Sequence, residues 1–327
     1  MSRLMRAVGI DSFGGDVRAL ELAAPGSPAP DEVVIAVRAA GVGNWDEFVR
    51  VGSWDVGLRP PLALGVEAAG VVDAVGRDVA GLAPGDEVLT HPLPLRHQGA
   101  WAERLVAPAD LVARKPAAVR WETAAAFPVP GLTADQALAE AAPEPAGEWL
   151  LVHGAGSVTG GLVVQLAVAR GATVIATAGP SSAARVRGYG ATVVLDYHDL
   201  DWPTRARDAS PGRRGVGAAV NTAPDGAAAA LQAVADGGRL ATITGDPPLL
   251  ERGVTVADVY IQADGTRLAA LITALADGLL SLPVGATRPL AEAATVMQPA
   301  VAGRAAGASV LTLAQDPESA AHPTRRG

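Results

Sequence analysis

The residues most open to a chemical reading are Gly154-Ala-Gly156-Ser-Val-Thr-Gly160. They follow an apolar run, Trp149 to His153, and precede a helical pattern that opens at Thr159. Glycines at such a strand-to-helix turn let the backbone approach a diphosphate closely. The free N–H groups and positive dipole end of the helix then favour its charge. Gly154, Gly156, Ser157, Val158, Thr159 and Gly160 are therefore candidate pyrophosphate contacts of a dinucleotide. The last glycine stands four residues after Gly156 instead of three, a departure from the common spacing. A tight turn in any α/β protein would use similar glycines. The context of strand before, helix after and second strand on time favours the cofactor reading.

An absence sharpens it. Dinucleotide folds that take NAD carry an acidic residue about 20 positions past the first glycine, where it holds the ribose hydroxyls. Thr177 and Ala178 occupy that place, and no Asp or Glu occurs between Ala172 and Leu195. Ser181, Ser182 and Arg185 follow, with Tyr197 after the next apolar run. Such donors suit a 2′-phosphate, so NADP(H) is the expected cofactor. The competing reading is a serine at a helix start and a solvated arginine. Asn221, Thr244 and Gly245, at the ends of two later strand runs, complete the candidate cofactor set.

The elements that must position these residues alternate regularly. Strand patterns cover Trp149 to His153, Ala172 to Ala176, Ala191 to Leu195, Val216 to Val220, Arg239 to Thr244 and Val254 to Ile261. Helical patterns cover Thr133 to Ala142, Thr159 to Arg170, Ser181 to Tyr189 and Asp225 to Ala235. This predicts an α/β fold with a doubly wound parallel sheet of Rossmann type. Residues 1 to 118 instead read as short strands punctuated by Gly and Pro, such as Val33 to Val37, Gly70 to Val75 and Glu87 to Leu89, and suit an irregular β-barrel. One short helical stretch, Asp46 to Arg50, interrupts them. A helix over Thr266 to Leu279, another over Leu290 to Ala302 and a strand over Ser309 to Leu313 close the pattern.

Composition bounds the function. At 327 residues two domains are expected. A hydrophobic content of 49% against 18% charged residues is a globular balance. A net charge of −8 gives no support to nucleic-acid binding. The chain has no cysteine, which removes disulfides, thiolate zinc sites and a cysteine nucleophile. The opening stretch MSRLMRAVGIDSFGG lacks the apolar run of a signal peptide, and no stretch is apolar enough to span a bilayer. The cytoplasm is the expected compartment.

Further motifs run in one order along nearly the whole chain. They are Ala40-Gly-Val-Gly-Asn-Trp-Asp46 with Arg50 and Gly52, Leu64-Gly-Val-Glu67-Ala-Ala-Gly70 with Val75-Gly76, and Gly85-Asp86-Glu-Val88. Gly99-Ala-Trp-Ala-Glu103, Pro130-Gly-Leu-Thr133-Ala and Asp196-Tyr197 follow. In these the chain resembles the medium-chain dehydrogenase/reductase superfamily, and within it the zinc-independent quinone oxidoreductase group. The resemblance implies a split GroES-like β-barrel catalytic domain, residues 1–118 and 263–327, around an NADP(H)-binding Rossmann domain, residues 119–262. It also implies hydride transfer from NADPH to a quinone, alkenal or other conjugated carbonyl, and a homodimer joined through Val254 to Ile261. The histidine of the superfamily's zinc pattern is replaced by Val66. With no cysteine and five histidines, none paired at ligand spacing, no metal is expected. Gly43 stands where the group places Asn, with Asn44 beside it; Ser157 and Val158 replace glycines of the turn; Ala308 replaces a commonly basic residue.

No Ser–His–Asp set or paired acid and base is visible. Asn44 and Thr133 are the candidates beside the nicotinamide, with Tyr260 a further one. His153, His91 and His97 read as packing residues, as do Trp45 and Trp54. Asp46 and Arg50, four apart on one helical turn, are placed to pair with each other. Glu67, between apolar runs, needs a partner if buried. Two rival readings stay open: an enoyl or alkenal double-bond reductase built from the same parts, and a non-catalytic NADPH-binding sensor or structural protein. A cofactor-oxidation screen separates them.

Overall fold

Short runs of Val, Ile, Leu and Ala broken by Gly and Pro favour strands, and the first third of the chain folds that way. The computed structural model describes residues 3–313. Its first strands are β1 (Leu4–Ile10), β2 (Arg18–Ala23), β3 (Glu32–Val42), β4 (Leu62–Ala63), β5 (Ala68–Val75), β6 (Glu87–Thr90), β7 (Arg104–Pro108) and β8 (Val112–Arg114). One helix, α1 (Trp45–Val51), follows β3. β1 pairs antiparallel with β2 and β4. β3 pairs antiparallel with β5 and β7. Register shifts at Val34/Ile35 and Val37/Ala39 bend it. Val33, Ile35, Val72, Val88 and Ala107 bury together against it.

After α2 (Trp121–Ala125) the pattern changes to alternation. The elements are α3 (Pro128–Ala141), β9 (Trp149–His153), α4 (Val158–Ala169), β10 (Thr173–Thr177), α5 (Pro180–Gly188), β11 (Val193–Leu195), α6 (Trp202–Ala209), β12 (Val216–Asn221), α7 (Ala227–Ala233), β13 (Val234–Thr242) and β14 (Thr255–Asp258). The six strands form one parallel sheet in the order β11-β10-β9-β12-β13-β14, the doubly wound order of a dinucleotide fold. β9 is central, and its Leu150, Leu151 and Val152 are fully buried, as a strand covered on both faces requires. The strand order reverses at β9, and ligands of such sheets bind at the carboxyl ends beside that point.

α8 (Gly265–Ala276), β15 (Val284–Pro289), α9 (Ala293–Val301) and β16 (Ala308–Thr312) follow. β16 returns to β3, antiparallel, with Ser309 opposite Val42 and Thr312 opposite Ala39. It also pairs with β15 in parallel. The result is a seven-stranded sheet of β15, β16, β3, β5, β6 and β8 with β7 attached to β3. One compact unit holds the described residues up to Pro128, Asp264–Ala269 and those from Val284 onward; the other holds Val129–Ala263 and Ala270–Pro283. Among the described residues no helix is long and apolar enough to cross a membrane.

Two of the differences from the sequence expectation lie in the parallel-sheet unit. The helix read to Ala235 stops at Ala233, because Val234 pairs with Val216 and opens β13. The edge strand read as Val254 to Ile261 is confined to Thr255–Asp258.

Candidate functional site

β9 ends at His153, and the chain turns at Gly154 with φ +86°, a conformation that favours glycine. A Cβ at Gly154 would lie 2.6 Å from Thr222 Oγ1 and 2.9 Å from Ala223 N. Two threonines clamp this turn. Thr177 Oγ1, at the end of β10, accepts the Gly154 N–H at 3.0 Å. The Thr222 hydroxyl, just past β12, lies 3.0 Å from each of the His153 and Gly154 carbonyls. Ser157 then caps α4, its Oγ accepting the Gly160 N–H at 2.9 Å. Gly160 packs so closely on the Gly154 carbonyl that any Cβ would collide with it. The missing Cβ of Gly156 faces the Ser182 hydroxyl at 2.5 Å. Among the described residues the N–H groups of Gly156, Val158 and Thr159 have no protein acceptor. A cradle without side chains, floored by unpaired N–H groups at a helix start, fits the diphosphate of a dinucleotide.

Beneath the turn lies a polar layer. His153 Nδ1 and Thr177 Oγ1 are hydrogen-bonded at 2.7 Å, and the His153 ring stacks on Trp202 of α6 at 4.4 Å. Burial pushes the His153 pKa down to about 4 against a smaller opposing pull from Asp246, so the ring is neutral in the fold. Asn221 is fully buried at the end of β12. Its Nδ2 donates to the Ala223 carbonyl at 3.1 Å and to Thr242 Oγ1 and Thr244 Oγ1 at 3.0 Å. Both threonine hydroxyls also bond Asp246, whose other oxygen accepts the Ala227 N–H at the start of α7, 3.2 Å away. The ends of β12 and β13 are thus tied to each other and to the start of α7. Thr242 and Asp246 are members of this layer that sequence reasoning left out, and His153 was read as a packing residue. Asp246 carried one signal, a carboxylate two residues past the strand expected to end at Thr244.

The end of β10 carries the remaining candidates. Ser181 is exposed in the first turn of α5, and Tyr197 and His198 stand over Gly179. Arg185 lies one turn further along α5. It is not a solvated arginine: its guanidinium donates to the Gly156 carbonyl at 2.9 Å and reaches Tyr189 Oη at 3.5 Å. Three strands on, Gly245 turns with φ +68°, and the Tyr260 hydroxyl lies 4.0 Å from its missing Cβ. Tyr260 is exposed, and the Asp258 charge and a hydrogen bond to it raise the phenol pKa. Thr133 is half-buried on α3. The structure therefore gathers Gly154 to Gly160, Thr177, Ser181, Arg185, Tyr197, Asn221, Thr244, Gly245 and Tyr260 along the carboxyl ends of the parallel strands.

Asn44 belongs to the other unit, where it is exposed at the start of α1 without a side-chain capping bond. The expected pairing of Asp46 with Arg50 gives way to another. Arg50 forks onto Glu47 with two contacts of 2.7 Å. Asp46 turns inward and accepts the Gly43 N–H at 2.9 Å. Asp46 is fully buried, and its Oδ1 has no hydrogen-bond partner. Burial raises its pKa to about 7, opposed by backbone bonds from Gly43 and Gly65. His91 is also buried. Its Nδ1 donates to the Val66 carbonyl at 2.8 Å, Nε2 has no partner, and burial lowers its pKa to about 4. A zinc ion does not fit this donor set. Val66 is apolar and buried where a ligand would stand, and the Glu67 carboxylate packs onto Gly41. Among the described residues no group of three or more His, Cys, Asp or Glu could hold a metal.

Comparison with known proteins follows the same division. Residues 29–117 match the alcohol dehydrogenase GroES-like domain, and residues 159–264 match the model described as zinc-binding dehydrogenase. The quinone oxidoreductase of Sus scrofa is 28% identical over 95% of this chain and 98% of its own. A solved NAD-dependent alcohol dehydrogenase is 31% identical, with a TM-score of 0.86 over 95% of this chain and 100% of its own. A mycobacterial protein solved in complex with NADPH is 29% identical, with a TM-score of 0.81 over 94% of this chain and 99% of its own.

Proposed function

Because the chain belongs to the medium-chain dehydrogenase/reductase superfamily of oxidoreductases, we propose that it is a zinc-independent, NADPH-dependent reductase of a quinone or related conjugated carbonyl. The observation that carries the cofactor choice is the end of β10. There, Thr177 and Gly179 are followed by Ser181 and Arg185, and the strand end itself carries no Asp or Glu to grip a ribose. Similarity to the quinone oxidoreductase of Sus scrofa supports the substrate class.

The bound nicotinamide supplies the hydride; the chain supplies binding and orientation. The N–H groups of Gly156, Val158 and Thr159 hold the diphosphate. Ser181, Arg185 and Tyr197 hold the 2′-phosphate. Asn221, Thr244 and Gly245 form the rim against which the cofactor lies, and Asn44, Thr133 and Tyr260 are the residues assigned to the nicotinamide side. A quinone accepts hydride and takes its proton from water, so no buried acid is required. In this reading two copies associate through the edge of β14, which is open on the side away from β13.

A hydrogen bond to a charged group contributes about 1.5–3 kcal/mol. Arg185→Ala is therefore expected to weaken NADPH roughly 10- to 100-fold. NADH should lose much less, since only the bond that steadies the Gly156 carbonyl is common to both. Titration of both cofactors against wild type and variant tests this; equal affinities in wild type, or equal losses in the variant, would remove the NADPH assignment. Oxidation of NADPH screened against quinones, alkenals and enoyl thioesters tests the substrate. Turnover of enoyl thioesters alone would make the chain a double-bond reductase, and binding without turnover would leave a non-catalytic NADPH protein.

A further inference from the structure

β11 delivers the chain to Asp196, Tyr197 and His198. The two rings lie against each other with centroids 4.1 Å apart. Both stand over Gly179: a Cβ there would lie 3.2 Å from Tyr197 Cε1 and 3.5 Å from His198 Cε1. Gly179 is the N-cap of α5, two residues past the end of β10, where a dinucleotide fold meets the ribose 2′ position. Asp196 Oδ1 accepts the His198 backbone N–H at 3.0 Å and contacts ring Nδ1 at 2.6 Å. This fixes the ring and directs its Nδ1 proton to the carboxylate. Nε2, on the far edge of the ring, has no protein partner among the described residues. Both side chains are open to solvent, His198 at 60% and Asp196 at 44%.

The two protonation states offer a phosphate opposite things. With a neutral ring, Nδ1–H is given to Asp196, Nε2 is a bare acceptor and the pair carries one negative charge. With a protonated ring, Nε2–H is a donor and the pair is neutral. The other groups around the ring do not change this sign. The start of α5 brings Gly179, Pro180 and Ser181, which are uncharged, and the Tyr197 phenol is a neutral donor. The Asp199 carboxylate is held by Arg205 of α6. Arg185 donates to the Gly156 carbonyl and carries a positive charge that stays fixed over this range.

We propose that the Asp196–His198 pair is a second specificity element for the 2′-phosphate, favouring NADPH when the ring is protonated and opposing it when the ring is neutral. This rests on the NADPH reading above. It adds a residue pair that the glycine turn and Arg185 do not supply, and it makes the choice between NADPH and NADH depend on pH.

The test is direct binding, followed by the fluorescence of reduced cofactor, for NADPH and NADH at a lower pH of about 5 and a higher pH of about 8. The 2′-phosphate gains a proton of its own near pH ~6, so each result is read against His198→Gln. The preference of wild type for NADPH over NADH, relative to that of the variant, is expected to be roughly two- to fivefold larger at the lower pH, the size of an exposed ionic contact. Asp196→Asn should bind NADPH more tightly than wild type at the higher pH, because the repelling charge is gone. A merely structural pair would instead weaken both cofactors together. The proposal is overturned if His198→Gln keeps the wild-type pH dependence, or if Asp196→Asn loses NADPH affinity at the higher pH. In either case a wild-type preference for NADPH that Arg185→Ala abolishes would leave the cofactor reading standing. Binding of neither cofactor, or of both equally at each pH, overturns both.

Discussion

Three glycines of one turn differ in why they are glycines, and the difference is measurable. Gly154 combines a left-handed backbone with backbone and hydroxyl neighbours inside 3 Å of any Cβ. Gly160 would set a Cβ against the Gly154 carbonyl, which is backbone and cannot move alone. Gly156 faces only the Ser182 hydroxyl, the end of a side chain that can rotate. Gly154→Ala and Gly160→Ala are each expected to cost about 1–3 kcal/mol of stability, seen as a lower thermal midpoint without any ligand. Gly156→Ala should melt within a few degrees of wild type yet bind NADPH at least about tenfold more weakly, since its methyl group occupies the cradle. If Gly156→Ala melts lowest of the three, the turn is held together differently from this account.

At the scale of elements, α4 is apolar on nearly every face and carries one buried polar side chain, Gln165. Gln165 Nε2 donates to the Ser281 carbonyl at 3.0 Å, and its Oε1 accepts the Ser281 N–H at 2.7 Å. The side chain thereby replaces a missing backbone ladder between α4 and the segment after α8. Gln165→Leu keeps the volume but strands two backbone groups, and should cost about 2–4 kcal/mol; urea unfolding monitored by tryptophan emission measures it. Sequence periodicity cannot show such a bond, because its partner lies 116 positions away. The same limit separates what was legible from what was not. The parallel sheet and the glycine turn are local patterns, and both could be read. The β1–β2 hairpin was not read, since Arg18–Ala23 is mostly exposed and lacks an apolar face. Helix α6, WPTRARDA, was passed over because its polar residues outnumber its buried ones; Trp202, Pro203 and Ala206 mark its inner side. Asn221, Thr242, Thr244 and Asp246 meet only because topology brings β12 and β13 side by side. The inward turn of Asp46 depends on the Gly43 and Gly65 backbone, whereas i,i+4 spacing pointed to Arg50.

On the scale of the molecule, buried titrating groups are shared unequally between the two units. His153, in the dinucleotide-binding unit, has its pKa lowered from 6.5 to about 4. It stays neutral in the fold and ionises more readily when unfolded, so its contribution is complete above pH ~6.5 and is lost as pH falls towards 4. The shift corresponds to roughly 3 kcal/mol. The other unit holds an opposed pair. His91 behaves as His153 does. Asp46, raised from 3.8 to about 7, binds its proton more tightly in the fold, so its burial destabilises increasingly as pH rises from about 4 to 7. Between pH ~4 and ~6.5 these two slopes largely cancel. The dinucleotide-binding unit is therefore expected to lose stability first in mild acid, and limited proteolysis at the two ends of that range, with fragments identified by mass, would locate the loss. His153→Gln should remove the difference between the units; Asp46→Asn should make the other unit acid-sensitive as well. Early cleavage confined to the β3 sheet in wild type would contradict the scheme.

The return of β16 to β3 has a consequence for how the chain is made. On the ribosome the edge of β3 from Ala39 to Val42 emerges long before its partner, Ser309 to Thr312. The whole parallel sheet is synthesised in the interval and can close on itself. Until the last strand leaves the exit tunnel, β3 presents open backbone N–H and C=O groups beside a largely apolar face. The folded molecule hides that edge, but the growing one must wait with it uncovered until Ser309 to Thr312 has left the ribosome, and crowding by neighbouring nascent chains threatens it most in that interval.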